Sequence, residues 1–419
     1  MAIESDVLVI GGGLAGIISA LTAIQEVETD RVRLISHTES TLRNASGLID
    51  VLGAVPGRET PVSHPFEMID RLPEIHPYRI VGAETVRDGL EMFETAVAEL
   101  YCGGHTDRNA LVPTAGGTIK PTARYPTSTM AGLASDDREM LLVGIETVPD
   151  FDAPLAAAHL RRLGVPFDVR GVTIDFPSEP RADAKSTRYA ELLDSDDADV
   201  RQRLADRVRP HLNGADRVGF PALLGLQKAD RVRSTLRADL DTAVFEVPMP
   251  PPSILGMRLE NALFDALDTA GVAITTGNPI VDYQATDGRV DSVLLDRNGT
   301  TVPHCAEQYI LATGGLVGSG IESDREVVSE PLFGCHVPHS GDRYDWFDDA
   351  TFGEHAFARF GVSFDDQLRP LAADGEPEFR NLRAAGSVIG GYDFAAEKSG
   401  SGVSLATGFA AGTMAGTHT

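Results

Sequence analysis

Three glycines near the start of the chain have the spacing of a phosphate-binding turn. Gly11, Gly13 and Gly16 form the pattern G-x-G-x-x-G between an apolar run at residues 6–10 and an Ala-rich segment at residues 14–26. The first glycine of such a turn permits its tight bend, the second lets backbone N–H groups approach a diphosphate, and the third lets helix and strand pack closely. The helix N-terminus adds partial positive charge. The pattern predicts a nucleotide site formed by Gly11, Gly12, Gly13, Leu14, Ala15 and Gly16.

The acidic residue that usually accompanies this turn is missing from its expected place. In ordinary dinucleotide sites an acid about 20 residues further on holds a ribose hydroxyl. Here that place falls on Ser36 in "LISHTES", and the nearest acid is Glu39. The departure weakens the case for an ordinary adenine dinucleotide, but it leaves the phosphate-binding turn untouched. Ser36 remains a candidate cofactor contact.

Two later Gly-rich segments favour a flavin over a nicotinamide. "YILATGG" (309–315) resembles the strand by which two-dinucleotide-fold flavoproteins return to the cofactor, and it predicts contacts from Ala312, Thr313 and Gly314. Residues 381–412 resemble their C-terminal flavin-binding segment, where a helix N-terminus faces the pyrimidine end of the ring. A tightly packed helix of small residues is the alternative interpretation of "SGSGVSLATGFAAG". The candidate flavin contacts in this segment are Gly386, Ser387, Ser399, Gly400, Gly402 and Val403.

The elements around these motifs predict an α/β fold. Residues 6–10 and 32–36 are apolar runs typical of buried strands, and residues 14–26 are typical of a helix. A strand, a helix and a second strand in this order form a βαβ unit, whose two strands lie parallel. The predicted fold is a two-dinucleotide-binding-fold flavoprotein with a Rossmann-like parallel sheet and an inserted second α/β domain.

The length of 419 residues is too great for one ordinary core and predicts two joined domains. We expect a discontinuous flavin-binding domain of residues 1–100 and 270–419, with residues 101–269 as the inserted domain. Hydrophobic residues make up 42% of the chain, which also contains 42 glycines, as is typical of a soluble α/β enzyme. Asp287-Gly288 is a hairpin signal between two predicted strands.

The net charge of −26 is the most unusual global property of the chain. Asp and Glu number 62 against 36 Lys and Arg, and only four of these bases are lysine: Lys120, Lys185, Lys228 and Lys398. A field of this sign repels nucleic acid and anionic lipid, so no nucleic-acid partner is expected. The charge predicts a surface adapted to very high salt, where screening acts over about 3 Å at 1 M. An ordinary acidic cytosolic protein is the alternative.

Cysteine and hydropathy patterns exclude several classes of site. Cys102, Cys305 and Cys335 are isolated, so they cannot supply a Cys-x-x-Cys set for a metal or an iron–sulfur cluster, and they indicate a reducing cytosol. We therefore expect no metal site. No run approaches the roughly 20 apolar residues that a membrane span needs. The first ten residues lack the basic region of a signal peptide, so any membrane contact is expected to be peripheral or through a partner.

The chain as a whole resembles the B subunits of anaerobic glycerol-3-phosphate dehydrogenases. The matching stretches extend over nearly the full length, and several have no generic flavoprotein counterpart. They are "GGGLAG" (11–16), "SGLIDVL" (46–52), "HPY" (76–78), "VGIETVPDFDAPLAAAHLR" (143–161), "PPSILGMRLEN" (251–261), "LATGG" (311–315), "LRP" (368–370) and "AAGSVIGGYDF" (384–394).

The resemblance implies oxidation of sn-glycerol 3-phosphate to dihydroxyacetone phosphate by a complex. A flavin-containing B subunit would stand beside an FAD-bearing catalytic A subunit. An iron–sulfur C subunit would tie both to the cytoplasmic face of the membrane and pass electrons to quinone. The resemblance also implies FMN, which fits the missing acid because FMN has no adenosine ribose. The turn is shaped for a diphosphate, so FAD is the alternative flavin.

Further site residues follow from similarity to the flavoprotein superfamily. The loop "RNASGLID" follows the second strand, where flavin contacts are expected from Asn44, Ser46 and Gly47; ordinary loop and helix-cap chemistry is the alternative. Oxidation of a carbinol needs a base for the hydroxyl proton and a cation for the phosphate, and His336 and Arg369 are the candidate catalytic pair. Two other functions remain open: a self-sufficient FAD-dependent oxidoreductase resembling fumarate reductase flavoproteins, and a flavin-free scaffold subunit.

Overall fold

The chain forms two compact units. The computed structural model describes residues 2–26, 31–55, 57, 60–178, 184–196, 199–351 and 353–417. The first unit comprises Met1–Thr41, Asp50–Val97 and Ala262–Thr419, and the second comprises Leu42–Ile49 and Ala98–Asn261. This division differs from the expected boundaries in three places, one of which is the start of the long second-unit segment at Ala98 rather than at residue 101. The short segment Leu42–Ile49 belongs to the second unit, and the second unit ends at Asn261 rather than at residue 269.

Strands and helices alternate along much of the described chain. The strands are β1 (Ile3–Ile10), β2 (Val32–Ser36), β3 (Tyr101–Cys102), β4 (Ala110–Pro113), β5 (Ile119–Thr122), β6 (Tyr125–Pro126), β7 (Met140–Ile145), β8 (Val169–Ile174), β9 (Arg217–Pro221), β10 (Ala243–Val247), β11 (Ala273–Thr276), β12 (Ile280–Thr286), β13 (Arg289–Arg297), β14 (Thr300–Leu311), β15 (Glu322–Ser323), β16 (Val328–Ser329) and β17 (Leu382–Ala384). The α-helices are α1 (Leu14–Glu26), α2 (Pro65–Met68), α3 (Pro77–Val81), α4 (Ala83–Val97), α5 (Ala153–Leu163), α6 (Ser186–Asp194), α7 (Asp199–Val208), α8 (Ala229–Leu240), α9 (Ile254–Thr269), α10 (Phe394–Glu397) and α11 (Gly400–Thr417).

The first unit is built on a mixed sheet with the order β11-β2-β1-β14-β13-β12, and β17 pairs with β14. Strands β11, β2, β1, β14 and β17 pair in parallel, whereas β12 and β13 pair antiparallel. Asp287 and Gly288 both have positive φ, as a tight hairpin between β12 and β13 requires. The α/β fold with a parallel Rossmann-like portion is confirmed. The hairpin expected at Asp287-Gly288 is confirmed as well, and it adds the antiparallel strands β12 and β13 to the sheet.

Register places three strand ends side by side in the first unit. Ile10 of β1 pairs with Leu311 of β14 on one side and with Ile35 of β2 on the other. In open α/β sheets ligands bind outside the carboxyl ends of the parallel strands. The residues that follow Ile10, Ile35 and Leu311 therefore meet at the edge of the sheet where a nucleotide is expected.

Helices α1, α4 and α11 approach one another closely through glycines. A Cβ atom on Gly408 of α11 would lie 2.6 Å from Ala15 O, and one on Gly412 would lie 2.5 Å from Ser19 O. A Cβ on Gly89 of α4 would lie 2.7 Å from Leu405 O. Real Cβ atoms do not come this close to backbone atoms, so these helices can pack at this distance only with glycine. Much of the glycine in α11 therefore serves helix packing.

The second unit has its own parallel sheet, in the order β10-β9-β7-β8. Its core contains Leu142, Phe220 and Leu236, each at most 1% exposed. Arg217 of β9 is fully buried as well. Its guanidinium is satisfied because it donates hydrogen bonds of 2.6–3.2 Å to the main-chain oxygens of Ala131, Leu133, Asp136 and Arg138.

Candidate functional site

The glycine turn after β1 is tightly constrained at two of its three glycines. Gly11 has φ +121°, and a Cβ there would overlap Ala312 O. A Cβ on Gly16 would overlap Gly11 O. The N–H of Gly11 donates to Ile35 O at 2.8 Å, which ties the turn to the end of β2. Glycine is therefore required at both positions by the backbone packing itself.

Gly13 has a different environment, because a Cβ there would meet nothing within 4 Å. Helix α1 begins at Leu14, and the N–H of Ile17 donates to Gly13 O at 3.0 Å as the first bond of the helix. The N–H groups of the preceding turn have no acceptor within the helix. Open space in front of a helix N-terminus with available N–H donors suits a phosphate group. The residues present thus fit the diphosphate of a flavin dinucleotide.

Ser36, the last residue of β2, is engaged locally. Its buried hydroxyl donates to Thr38 O at 3.0 Å, and a Cβ on Gly12 would lie 2.7 Å from Ser36 Oγ. Glu39 is exposed. Ser36 therefore packs against the glycine turn, and its contact with a cofactor stays a prediction.

The three Gly-rich segments converge in the first unit. Besides the contact of Gly11 with Ala312, the N–H of Gly315 donates to Ser387 Oγ at 3.0 Å. A Cβ on Gly386 would lie 2.6 Å from the Cβ of Ala15. The turn after β1, the segment after β14 and the segment after β17 are thus in direct contact, although about 300 and 70 residues separate them along the chain. Contact between these three distant Gly-rich segments is explained by a shared binding role or by tight packing.

Thr313 contributes an unsatisfied polar atom at this junction. Its hydroxyl oxygen is buried and has no hydrogen-bond partner among the residues that the structure describes. Gly314 follows with φ +93°, a conformation that glycine adopts readily. A buried hydroxyl without a partner is costly, so a ligand atom at this position would stabilise it. The Thr313 hydroxyl lies close to Gly320, where a Cβ would come within 2.6 Å of it, so its contact with a cofactor stays a prediction.

The start of α11 is held in place by bonds that use some of the predicted flavin contacts. The N–H of Gly402 donates to Asp50 O at 2.7 Å, and that of Val403 donates to Ser399 O at 2.9 Å. The Ser399 hydroxyl donates to Glu397 Oε2 at 2.9 Å. Of the first turn of α11, the N–H of Gly400 is therefore better placed than those of Gly402 and Val403 to bind a cofactor.

A buried polar cluster beneath this helix start could not be assigned a role from the sequence. His76 Nε2 lies 3.1 Å from Glu397 Oε2, and the Tyr78 hydroxyl donates to Val51 O at 2.7 Å. Burial, reinforced by the neighbouring Tyr392 and Glu397, raises the pKa of Tyr78 well above its ordinary value. The only sequence signal was "HPY" (76–78), one of the stretches that carry the family resemblance.

Asn44, Ser46 and Gly47 belong to the second unit. Gly47 has φ +76°, and its main-chain oxygen accepts a hydrogen bond of 2.6 Å from the Tyr101 hydroxyl. Ser46 Oγ accepts a weak bond of 3.4 Å from the N–H of Leu48 and lines a cavity of about 520 Å³ that also includes Lys120. These are the bonds of an ordinary loop, and flavin contacts from these three residues stay a prediction.

The two catalytic candidates lie in the first unit but make separate contacts. The N–H of His336 donates to Glu378 Oε1 at 2.6 Å. The guanidinium of Arg369 pairs with Asp365, with Nη2 at 2.6 Å and Nε at 2.8 Å from Oδ2. Burial, and secondarily the charge of Arg369, lowers the pKa of Arg383 to about 10. Within the described ranges no hydrogen bond or ion pair joins His336 to Arg369.

Metal-binding and membrane-spanning features are absent from the described part of the chain. No group of three or more His, Cys, Asp or Glu side chains there is arranged to hold a metal ion. Cys102, Cys305 and Cys335 are free thiols. No helix within the described ranges is long and apolar enough to cross a membrane.

A mixed sheet with a parallel portion, a G-x-G-x-x-G turn after its first strand and two further Gly-rich segments that meet this turn define a flavoprotein of the dinucleotide-binding class. A family model described as an FAD binding domain matches residues 6–403. The chain is 60% identical over 423 residues to the probable anaerobic glycerol-3-phosphate dehydrogenase B subunit of Halobacterium salinarum, covering 99% of this chain and 98% of the relative. It is 30% identical over 417 residues to the anaerobic glycerol-3-phosphate dehydrogenase B subunit of Yersinia pestis, covering 96% and 95%.

Among solved structures, the open conformation of a flavocytochrome c3 fumarate reductase aligns with a TM-score of 0.46 at 12% identity, covering 99% of this chain and 78% of that one. The family match and the identities confirm the resemblance noted from the sequence. The chain belongs to the FAD-binding domain family and, within it, to the anaerobic glycerol-3-phosphate dehydrogenase B subunits.

Proposed function

We propose that this chain is the flavin-bearing B subunit of an anaerobic glycerol-3-phosphate dehydrogenase, which oxidises sn-glycerol 3-phosphate to dihydroxyacetone phosphate. The observation that carries the proposal is the convergence of three Gly-rich segments at the turn after β1, in which Gly13 faces open space. The names of the relatives in Halobacterium and Yersinia supply the substrate and the subunit role.

The flavin is FAD in this proposal. The sequence resemblance favoured FMN, and that preference is not confirmed. The FAD binding domain match supports FAD, as does a turn whose open space and N–H donors suit a diphosphate. Position 36, at the end of β2, is a serine and not the usual acid. In this proposal a group other than a carboxylate at this position holds the adenosine ribose of FAD.

The bound flavin would accept a hydride from the carbinol carbon of the substrate. The chain's own residues have three roles in this proposal. The N-terminus of α1 would hold the diphosphate, and the N-terminus of α11 at Gly400 would lie toward the pyrimidine end of the ring and favour negative charge there. His336 takes the hydroxyl proton, and Arg369 binds the substrate phosphate while it remains paired with Asp365.

Electrons leave through partner subunits in this proposal. The three cysteines of the sequence are isolated and cannot supply the four thiolates of an ordinary iron–sulfur cluster. The family resemblance supplies two partners, an FAD-bearing catalytic A subunit beside this chain and an iron–sulfur C subunit that takes the electrons onward. The complex would act at the cytoplasmic face of the membrane and reduce quinone there.

The cofactor is tested on the chain purified alone. Its visible spectrum should show a flavin, and acid should release that flavin, because the Gly-rich segments offer no His or Cys for a covalent link. Mass spectrometry of the released compound should give FAD. Release of FMN would overturn the choice of flavin, and a colourless chain that cannot be reconstituted would favour a flavin-free scaffold.

The role within a complex is tested by assaying glycerol 3-phosphate oxidation with a quinone acceptor. The chain by itself should be inactive, and the complex reconstituted with the FAD-bearing and iron–sulfur subunits should be active. Full quinone reduction by the chain alone would instead support a self-sufficient oxidoreductase. A complex that turns over equally well without this chain would overturn the proposed function.

A further inference from the structure

Exposed apolar side chains are concentrated in one stretch of the first unit. Among the described residues, six of the twelve exposed large apolar side chains lie between positions 316 and 357, with exposed fractions of 38–81%. They are Leu316, Val317, Val327, Tyr344, Phe347 and Phe357. Three of them, Leu316, Phe347 and Phe357, line the same cavity. Soluble chains seldom expose a contiguous group of large apolar residues unless another molecule covers it.

Part of this stretch forms a groove with aromatic walls. Leu316, Trp346, Phe347, Phe357 and Phe360, here called the aromatic groove, line a cavity of about 500 Å³. The walls are fixed by packing, since the Trp346 and Phe360 rings meet edge-to-face at 5.8 Å.

Hydrogen bonding also holds the groove's tryptophan in place. Trp346 Nε1 donates to Ser340 O at 2.8 Å, and the Trp346 ring packs edge-on against His339 at 5.8 Å. The groove is therefore present before any partner binds, so an incoming side chain would not have to order it.

Positive charge borders the groove in a strongly acidic chain. Arg325 and Arg343 line the same cavity, and within the described ranges neither forms an ion pair with a carboxylate. Asp324, the acid that shares this lining, accepts hydrogen bonds from the N–H groups of Glu326 and Val327, which lower its pKa. Two arginines thus stand beside the aromatic walls, although acids outnumber bases 62 to 36 in the whole chain. The Arg343 guanidinium lies 5.4 Å from the centre of the Tyr344 ring.

The acids next to the groove accept hydrogen bonds from groups of their own loop. Asp342 accepts a hydrogen bond from the N–H of Tyr344, and Asp345 accepts one from the Ser340 hydroxyl. Asp348 accepts one from the N–H of Ala350. These carboxylates maintain the loop that carries Trp346 and Phe347. The charged groups of the cavity lining are accordingly Arg325, Arg343 and Asp324, two positive charges against one negative.

We propose that the aromatic groove is the docking site for another subunit of the same enzyme. The docking segment would insert an aromatic or aliphatic side chain between the rings and present a carboxylate to Arg325 and Arg343. Aromatic residues and arginine are the types enriched at protein–protein interfaces and in their energetic hot spots. The proposal rests on the proposed function, because that function supplies the partner.

Two other occupants fit the groove less well. A second copy of this chain docked by two-fold symmetry would bring the same surface against itself, so like arginines would face each other. A membrane of anionic lipid would be repelled by the net charge of −26. A carboxylate-bearing polypeptide matches both the apolar walls and the positive border.

The test uses the complex assembled in molar KCl from this chain and the co-expressed FAD-bearing and iron–sulfur subunits. The double variant Phe347→Ser/Phe357→Ser should reduce the amount of co-purifying partner protein at least tenfold, and Arg343→Glu should reduce it severalfold. The matched control Val281→Ser/Leu163→Ser removes similarly exposed apolar side chains elsewhere and should assemble normally. Flavin content and melting temperature of each free chain verify that the variants fold.

Hydrogen–deuterium exchange locates the contact independently. Peptides covering residues 343–347 and 357–360 should exchange more slowly in the complex than in the free chain. If the wild-type chain assembles but the aromatic variant assembles equally well, the docking site is wrong while the proposed function stands. If the wild-type chain binds neither partner, the proposed function fails, and the docking proposal fails with it. A homodimer, or binding to phosphatidylglycerol vesicles, that the aromatic variant abolishes would overturn the named occupant.

Discussion

Nε2 of His76 lies 3.1 Å from Oε2 of Glu397, although 321 residues separate the two along the chain. The N–H of Tyr78 donates to Nδ1 of the same ring at 3.0 Å, so the neutral ring carries its proton on Nε2 and donates it to the carboxylate. Both side chains are buried. The main-chain oxygen of Glu397 accepts the N–H groups of Gly53 and Ala54. The pair therefore anchors residues 53–54 to the segment that leads into α11.

Loss of this anchor should be costly. We expect Glu397→Leu to lower the free energy of unfolding by about 2–4 kcal/mol, because the Nε2–H of His76 and the hydroxyl of Ser399 would both lose their acceptor in a buried place. Glu397→Gln keeps an acceptor and should lose less. Urea unfolding in molar KCl measures the difference.

A surface pair provides the matched control for this prediction. His64 Nδ1 and Glu67 Oε1 lie 3.7 Å apart, and Glu67 is exposed. Because exposed pairs contribute little, His64→Gln should change the free energy of unfolding by less than about 1 kcal/mol. The interpretation of the buried pair is wrong if Glu397→Leu proves as mild as this control.

Two glycines of the same turn should respond differently to substitution. Gly13→Val should abolish flavin binding with little loss of stability, since its side chain would enter only the open space before α1. Gly11→Ala should destabilise the fold itself, because Gly11 has φ +121° and its Cβ would overlap Ala312 O. Flavin absorbance and thermal melting of the two variants separate these effects. Full flavin occupancy in Gly13→Val would refute the assignment of the turn.

Stability should depend on pH through His304. This side chain is fully buried, and neither ring nitrogen has a hydrogen-bond partner in the described part of the chain. Burial, and then the charges of Arg33 and Arg297, lowers its pKa from 6.5 to about 4. Between these two pH values the unfolded chain binds a proton that the folded chain does not, so stability falls as the pH falls.

The variant His304→Leu isolates this contribution. Relative to wild type, it should lose less stability between pH 6.5 and pH 4, by up to roughly 3 kcal/mol at about 1.4 kcal/mol for each pH unit. Urea unfolding at several pH values in constant KCl measures the two slopes. Parallel curves for wild type and His304→Leu would mean that His304 is protonated as readily in the folded chain as in the unfolded one.

Salt should stabilise the chain. A net charge of −26 creates self-repulsion that is unscreened in dilute buffer and screened over about 3 Å at 1 M salt. We expect the melting temperature to rise markedly between dilute buffer and molar KCl. Calorimetry at stepwise KCl concentrations is the measurement. An unchanged melting temperature would remove the interpretation of a surface adapted to high salt.

Local sequence was sufficient for the first βαβ unit. The strand predicted at residues 6–10, the helix at 14–26 and the strand at 32–36 correspond to β1 (Ile3–Ile10), α1 (Leu14–Glu26) and β2 (Val32–Ser36). The apolar runs and the glycine spacing that specify this unit act over a few residues, so they can be recognised without knowing the rest of the fold. The hairpin at Asp287-Gly288 is predictable for the same reason.

Family membership was also accessible from the sequence, because the similarity to the relatives extends over nearly the whole chain. The contacts that the individual candidate residues make could not be predicted in this way. Arg369 pairs with Asp365, and the N–H of Gly402 is taken by Asp50 O. Such pairing depends on which groups lie within about 3 Å, and residue type alone does not specify it.

The sequence by itself therefore determined the glycine turn, the α/β class and the family, since these depend on short-range patterns and on similarity. Only the tertiary structure decided that Gly11 meets Ala312, that Gly315 meets Ser387 and that His76 meets Glu397. These contacts join residues from about 70 to more than 300 positions apart. Packing of sheet and helices creates them, and no local pattern encodes which distant segments will meet.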